Sequence, residues 1–187
     1  MRTKKTIVVL ISGLAGVGKT TLSDILYEKL SGLSGIKVDK YSFAGPLKMI
    51  AGKYLKWDGL KDSRGRKLLQ KFGGIAREYD ENIWASYLFT WLDAKGIFPL
   101  NFVLVDDWRF INEANYVASN PLTEAFPVRI VGRESTITDE ELLSDASETG
   151  LPESGDYHYV DNSGTIDELT ANANALVEEL KKLYIVE

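Results

Sequence analysis

Residues 13–20 read Gly-Leu-Ala-Gly-Val-Gly-Lys-Thr, the spacing G-x-x-x-x-G-K-[ST]. Nothing else in the chain restricts its fold as much. Glycines at 13, 16 and 18 let the backbone curl until successive N–H groups face inward on a phosphate. Lys19 can reach β- and γ-phosphates, and Thr20 can offer a hydroxyl to Mg²⁺. The helix that follows points its positive end at the same anion. The flanks agree with this reading. Thr6 to Ser12 is an apolar, β-branched run of strand length, and Leu22, Ile25, Leu26 and Leu30 recur at helical spacing. Strand, glycine loop, helix is the order that phosphate binding requires. A glycine-rich turn matching by chance would not carry both flanks.

The chain has 187 residues, enough for one domain with a sizeable core. No apolar run approaches the ~20 residues of a membrane span, so no membrane partner is expected. The basic start, Met1 to Lys5, precedes only a short apolar run that enters the glycine loop. It reads as the lead-in to a core strand rather than a signal peptide. With no cysteine, disulfides, thiol catalysis and cysteine-ligated zinc are excluded. This composition suits the cytoplasm. One histidine, His158, cannot build a histidine metal cluster, and it reads as structural. The net charge of −5 does not favour a nucleic-acid polymer, whereas a small phosphorylated substrate needs only a local basic cluster.

Strand and helix signals alternate along the chain. Strands are expected at Ile36 to Phe43, Asn101 to Asp106, Phe126 to Val131 and Tyr157 to Val160. Helices are expected from Pro46 to about Leu55, Ser63 to Tyr79, Glu81 to Lys95 and Ile111 to Ala118. Thr165-Ile-Asp-Glu168 is a capping box that opens a last helix to about Leu183. Residues 133–156 are polar and weakly periodic, and read as a mobile, lid-like excursion with at most one short helix. The alternation implies an α/β fold with a parallel sheet covered on both faces.

Several constellations could carry chemistry. Val103-Leu-Val-Asp-Asp107 is an apolar strand ending in acids, and alternation lets only one of Asp106 and Asp107 face the loop. That carboxylate could bind Mg²⁺ through water or orient a substrate; two solvated acids are the plain alternative. On the second long helix, Arg66, Gln70, Gly73 and Arg77 share one face. The arginines could grip a phosphate, and Gln70 could read a base edge. A solvated basic face would look the same. Arg109, just beyond the acidic strand end, can reach the crevice or pair with Glu113. Arg133 opens the excursion and either closes over phosphates or stays on the surface. The loop Asp161 to Thr165 either presents backbone groups to a base or simply feeds the capping box. Trp84, Tyr87, Leu88 and Trp91 form a helical stripe that reads as core.

Beyond these readings, the chain resembles the phage-type deoxynucleoside monophosphate kinases. The likeness is carried by Gly13 to Thr20, Phe43 to Lys48, Leu68 to Arg77 with Glu81 to Trp84, Asp106 to Glu113, Ser147-Glu148, and Asp161 to Leu169, in that order. It implies a P-loop kinase fold with a five-stranded parallel sheet, a helical acceptor-binding region over about 44–95 and a short lid over about 133–156. It also implies transfer of the γ-phosphoryl group of ATP, with Mg²⁺, to a deoxynucleoside monophosphate. Arg77 would take the substrate phosphate, Gln70 the base, and Asp107 and Arg109 would stand in the crevice. The chain departs from the family at Gly74, where threonine is common, and its excursion has few arginines.

Together these readings give the expected sites. ATP would lie on Gly13, Ala15, Gly16, Val17, Gly18, Lys19, Thr20 and Thr21, with Asn162 beside it. The acceptor would meet Arg66, Gln70, Arg77, Asp107 and Arg109. Lys19, Asp107, Arg109 and Arg133 would be catalytic, and Thr20 and Asp106 would hold the metal. A kinase for another small molecule, such as dephospho-coenzyme A, is the enzymatic alternative, and a nucleotide-dependent switch is the other. No Asn-Lys-x-Asp guanine-reading segment supports a GTP switch. A homodimer remains open.

Overall fold

The computed structural model describes residues 5–95, 101–152 and 154–185. The basic start, apart from Lys5, lies outside them. Strand β1 (Thr6–Ser12) is buried along its whole length. It pairs in parallel with β3 (Phe102–Val105) on one side and β4 (Thr123–Val131) on the other. With β2 (Val38–Tyr41) and β5 (His158–Asp161) it forms a five-stranded parallel sheet in the order β2-β3-β1-β4-β5. A central parallel strand has helices on both faces, which is why its sequence is an unbroken apolar run instead of an alternation.

The pleat then sorts the core into two layers. Ile7, Val9 and Ile11 face helix α1 (Lys19–Ser31) and the C-terminal helix α8 (Ile166–Tyr184), which contribute Leu22, Leu26 and Leu30, and Leu169, Ala173, Leu176 and Leu180. Each of these leucines, fully buried, contributes roughly 1.5–3 kcal/mol. Val8 and Leu10 face the other way. They meet Phe43, Ala85, Leu88, Leu92, Trp108 and Val117 from the elements α2 (Ala44–Tyr54), α4 (Ile83–Lys95) and α5 (Ile111–Ser119) and their approaches. Helix α3 (Ser63–Tyr79) lies outside this layer, its first turn capped by the Asp62 carboxylate accepting from the Gly65 N–H at 2.7 Å.

The expected elements are present with small shifts. Helix α2 begins at Ala44, so Pro46 falls in its first turn as expected, and the Asp107 carboxylate, just beyond β3, accepts from the Phe43 and Ala44 N–H groups. Strand β4 begins three residues before Phe126, since register with Thr6 and Ile7 extends it to Thr123. The predicted capping box at Thr165 and Glu168 is formed, and α8 ends at Tyr184. Residues 133–152 differ from the expected excursion. They form two short helices, α6 (Glu140–Leu143) and α7 (Ala146–Thr149), and bury Ile137 and Leu142 against Ala15 of the glycine loop. Two apolar anchors are too few to register as periodicity, which is why the segment reads as unanchored. It is a strap across the crevice. His158 is structural as expected, and the partner the sequence did not show is Glu179, 3.0 Å from Nδ1, with the Phe126 ring stacked at 3.9 Å.

Candidate active site

The carboxyl ends of β1 and β3 are neighbours, so the glycine loop and the acidic strand end meet at the crevice where open α/β sheets take ligands. Gly13, Gly16 and Gly18 all have positive φ, 143°, 81° and 104°. A side chain at any of them would collide as well. A Cβ on Gly13 would meet the Ile130 carbonyl at 2.5 Å, and one on Gly16 would meet Thr136 Cγ2 at 2.1 Å. Lys19 lies across this loop, its Nζ donating to the Gly13 and Leu14 carbonyls at 2.8 Å each. Burial, then the nearby Arg109 charge, pull its pKa down to about 8. The N–H groups of Lys19, Thr20 and Thr21 precede the first intrahelical bond of α1, Leu22 N–H to the Gly18 carbonyl.

The two acids separate as alternation requires. Asp106 turns to the loop, where Thr20 donates its hydroxyl to Oδ2 at 2.7 Å. Asp107 turns to the start of α2. It accepts from the Ser42 hydroxyl at 2.6 Å and from the Phe43 and Ala44 N–H groups at 3.0 Å each. Thr20 and Asp106 together form a hard oxygen pair that fits Mg²⁺. Asp107 was expected to be catalytic and to meet the acceptor, and here its oxygens are engaged by residues 42–44. At this β2–α2 junction it acts as a helix cap supplied from the end of another strand.

Arg109 enters the crevice. Its guanidinium donates to the Ser147 carbonyl and pairs with Glu148, both on α7. Arg77 lies half-buried over the Phe110 ring at 4.0 Å, with Glu113 Oε1 3.9 Å from its Nη2. Burial lowers its pKa, and Arg109 is close enough to lower it further. Glu113 is 2% exposed, and burial raises its carboxyl to about 7 even though it accepts from the Arg109 and Phe110 N–H groups at 3.0 and 3.1 Å. Gly73 is packed against Leu47 and the Arg77 guanidinium, while Gly74 opens on free space. Trp84 donates its indole N–H to the Gly73 carbonyl; it and Leu88 are buried as the stripe predicted, whereas Trp91 is only partly buried and Tyr87 is exposed.

Three expected site residues have polar atoms engaged by other parts of the chain. Arg66 sits in the first turn of α3, and Arg77 is 11 residues, or about 16 Å, further along the helix. Arg66 Nε is spent on the Lys61 carbonyl at 3.0 Å, so sharing a face does not bring it to the crevice. Gln70 is at the crevice, but its amide nitrogen is used by the strap: it donates to the Leu142 carbonyl at 3.2 Å. Arg133 does not cover the phosphate loop. Its Nε donates to the Asn162 carbonyl at 2.8 Å and its Nη2 to the Gly164 carbonyl at 3.1 Å, because Gly132 turns the chain toward that loop at the end of β4. Asn162 is buried, and its side chain fastens the loop to the Val17 carbonyl at 2.7 Å. It therefore braces the phosphate loop through its amide.

Glu148 and Thr136 were missed as site residues. Glu148 came in only with the resemblance. The N–H of Thr136 donates to the Ala15 carbonyl at 2.9 Å, which lays the strap on the glycine loop. Glu113 was read only as a surface partner for Arg109; an acid three residues into a helix was the available signal. Arg109, Glu148 and Leu151 line a narrow, partly open cleft with Gly13 and Leu14 of the glycine loop.

No family model and no curated protein matches the chain. Among solved structures it is similar to a gluconokinase from Sinorhizobium meliloti 1021, with a TM-score of 0.52 at 16% identity over 97% of this chain and 98% of that one. A Mycobacterium tuberculosis APS kinase aligns over 93% of this chain and 98% of its own, with a TM-score of 0.44 at 15% identity. The chain has the fold of the P-loop kinases. That agrees with the expected fold class, a five-stranded parallel sheet flanked by helices.

Proposed function

We propose that this protein transfers the γ-phosphoryl group of ATP to a (deoxy)nucleoside monophosphate, giving the diphosphate and ADP. The observation that carries the reading is a set of three cations around one crevice. Lys19 lies across the glycine loop, Arg109 reaches the same space from the turn after β3, and Arg77 on α3 rests over Phe110, facing the Glu113 carboxylate that holds the Arg109 N–H. Phosphoryl transfer asks little covalent chemistry of a protein. It asks that donor and acceptor phosphates lie in line and that their charge be neutralised. Cations running from the donor loop to the far wall of the crevice supply that.

In this reading Lys19 gives up its bonds to the Gly13 and Leu14 carbonyls and turns to the β- and γ-phosphates. The loop N–H groups and the first turn of α1 hold the donor. Thr20 and Asp106 would hold Mg²⁺, which when bound neutralises phosphate charge. Arg109 would stand between the phosphates, and Arg77 would grip the acceptor phosphate by charge-assisted bonds. The flat guanidinium of Arg133, laid along the loop that bears Asn162, gives a surface on which the ATP base can stack. The strap, held through Gln70 and Glu148, would exclude water.

A coupled assay with ATP, Mg²⁺ and a panel of nucleoside monophosphates tests this, with sugar acids and dephospho-coenzyme A as other acceptors. ADP release that requires one or more monophosphates is expected. Turnover only with another acceptor would replace the substrate class, and turnover independent of any acceptor would point to a nucleotide-dependent switch.

A further inference from the structure

Glu113 takes no part in the transfer described above, yet it is buried, only 2% exposed. A carboxylate is costly to bury without compensating partners. Capping α5 alone would not require the cost, since a surface serine or aspartate caps a helix as well. What burial gives here is geometry. Oε2 accepts from two consecutive N–H groups, those of Arg109 and Phe110, and so fixes the backbone from which the Arg109 side chain departs. Oε1 faces the Arg77 guanidinium, whose flat side rests on the Phe110 ring. One carboxylate therefore touches both arginine-bearing segments, α3 and the β3–α5 turn. Phe110 forms the floor and Glu113 the wall of a cradle for Arg77.

We infer that Glu113, with Phe110 beneath it, is a positioning residue that sets the Arg77 guanidinium and the Arg109 backbone at one spacing, so that both cations can meet phosphate groups in the same crevice. The inference rests on the proposed transfer to a nucleoside monophosphate for its kinetic consequence but not for its structural one. Glu113→Gln is the informative change. The amide oxygen can still accept both N–H bonds, so the cap persists, while the charge facing Arg77 is gone.

Two measurements on the full chain, made at about pH 8.5 where the carboxyl is ionised, test it together. In steady-state kinetics, Glu113→Gln is expected to raise the KM for the monophosphate about tenfold, the loss of one charge-assisted contact, while the KM for ATP stays within about twofold. A purely structural role would instead lower kcat through a smaller folded fraction and leave both KM values unchanged. In ¹⁵N side-chain spectra, the Arg77 Nε–H resonance, assigned with Arg77→Lys, is expected to shift and broaden in Glu113→Gln. Phe110→Leu, which removes the floor and keeps the wall, should have the same two effects if Glu113→Gln folds poorly. An unchanged Arg77 resonance, or a perturbed resonance with an unchanged monophosphate KM, overturns the inference. If the unaltered protein phosphorylates no monophosphate, the functional reading fails, and the Arg77 resonance still decides whether the cradle exists.

Discussion

Thr20 donates its hydroxyl to Asp106 across 2.7 Å, although 86 positions separate them in the chain. The bond links the first turn of α1 to the end of β3, the two elements that frame the donor side of the crevice. It places two hard oxygen donors together at the end of the glycine loop. Asp106→Asn should therefore raise the Mg²⁺ concentration needed for half-maximal turnover, with little change in the melting temperature. A metal titration of initial rates reads this directly. An unchanged Mg²⁺ requirement would remove Asp106 from the metal site.

Lys19→Ala should abolish transfer, by at least about 100-fold, while the protein stays folded. In the structure its Nζ bonds only to carbonyls of the loop it belongs to, and those exposed loop carbonyls can turn to water. Single-turnover transfer beside a thermal melt is the measurement. Near-normal transfer would end the assignment of the glycine loop to the donor phosphates.

Arg77→Ala should weaken the monophosphate acceptor by about 1.5–3 kcal/mol and leave ATP binding intact. Arg77 is on α3, a wall of the crevice that holds no part of the glycine loop. Separate calorimetric titrations of ATP and monophosphate distinguish the two sites. Collapse of ATP binding with acceptor binding retained would mean that donor and acceptor sites are assigned the wrong way round.

Much of this site was legible in the sequence, and the misses share one physical cause. The strand-loop-helix unit, the Thr165 capping box and the parallel sheet follow from local pattern, because β1 is an unbroken apolar run and α1 carries helical periodicity. The alternation of Asp106 and Asp107 predicted that they diverge, but not which one faces Thr20 and the glycine loop, since that depends on strand register with β1. Arg66 and Arg77 share a helix face, yet the pattern does not say how far along the helix the crevice extends. Gln70, Glu113, Arg133 and Glu148 are placed by partners 72, 36, 29 and 39 positions away. Contacts of that range leave no local signature.

Glu113 also makes stability depend on pH. Its folded pKa, about 7, is raised above the ordinary 4.5 chiefly by burial. Asp107 pushes it further up, while Arg77 and the Arg109 and Phe110 N–H groups pull it down. A carboxyl raised on folding contributes its full stability below pH 4.5 and loses it as pH rises through 7. The loss amounts to at most about 3 kcal/mol. Relative to the unaltered protein, Glu113→Gln should therefore gain melting temperature steadily between pH 5 and pH 8. A constant offset across that range would show that Glu113 does not titrate there.

The strap over residues 133–152 gives the last prediction. Its Thr136 lies against Gly16, its Ile137 and Leu142 pack on Ala15, and it holds Gln70 and Arg109. These contacts lie over the glycine loop, where the donor phosphates are proposed to bind, so parting them would widen the entrance to the site. Opening and reclosing would gate the site, and reclosure would keep water from the γ-phosphate. Amide hydrogen exchange should show the strap less protected in the free protein than with a bisubstrate analogue filling both sites. Glu148→Gln, which cuts the ion pair to Arg109, should raise ATP hydrolysis relative to transfer. Equal exchange in both states would make the strap a fixed wall, and an unchanged ratio of hydrolysis to transfer in Glu148→Gln would mean that water is excluded by other contacts.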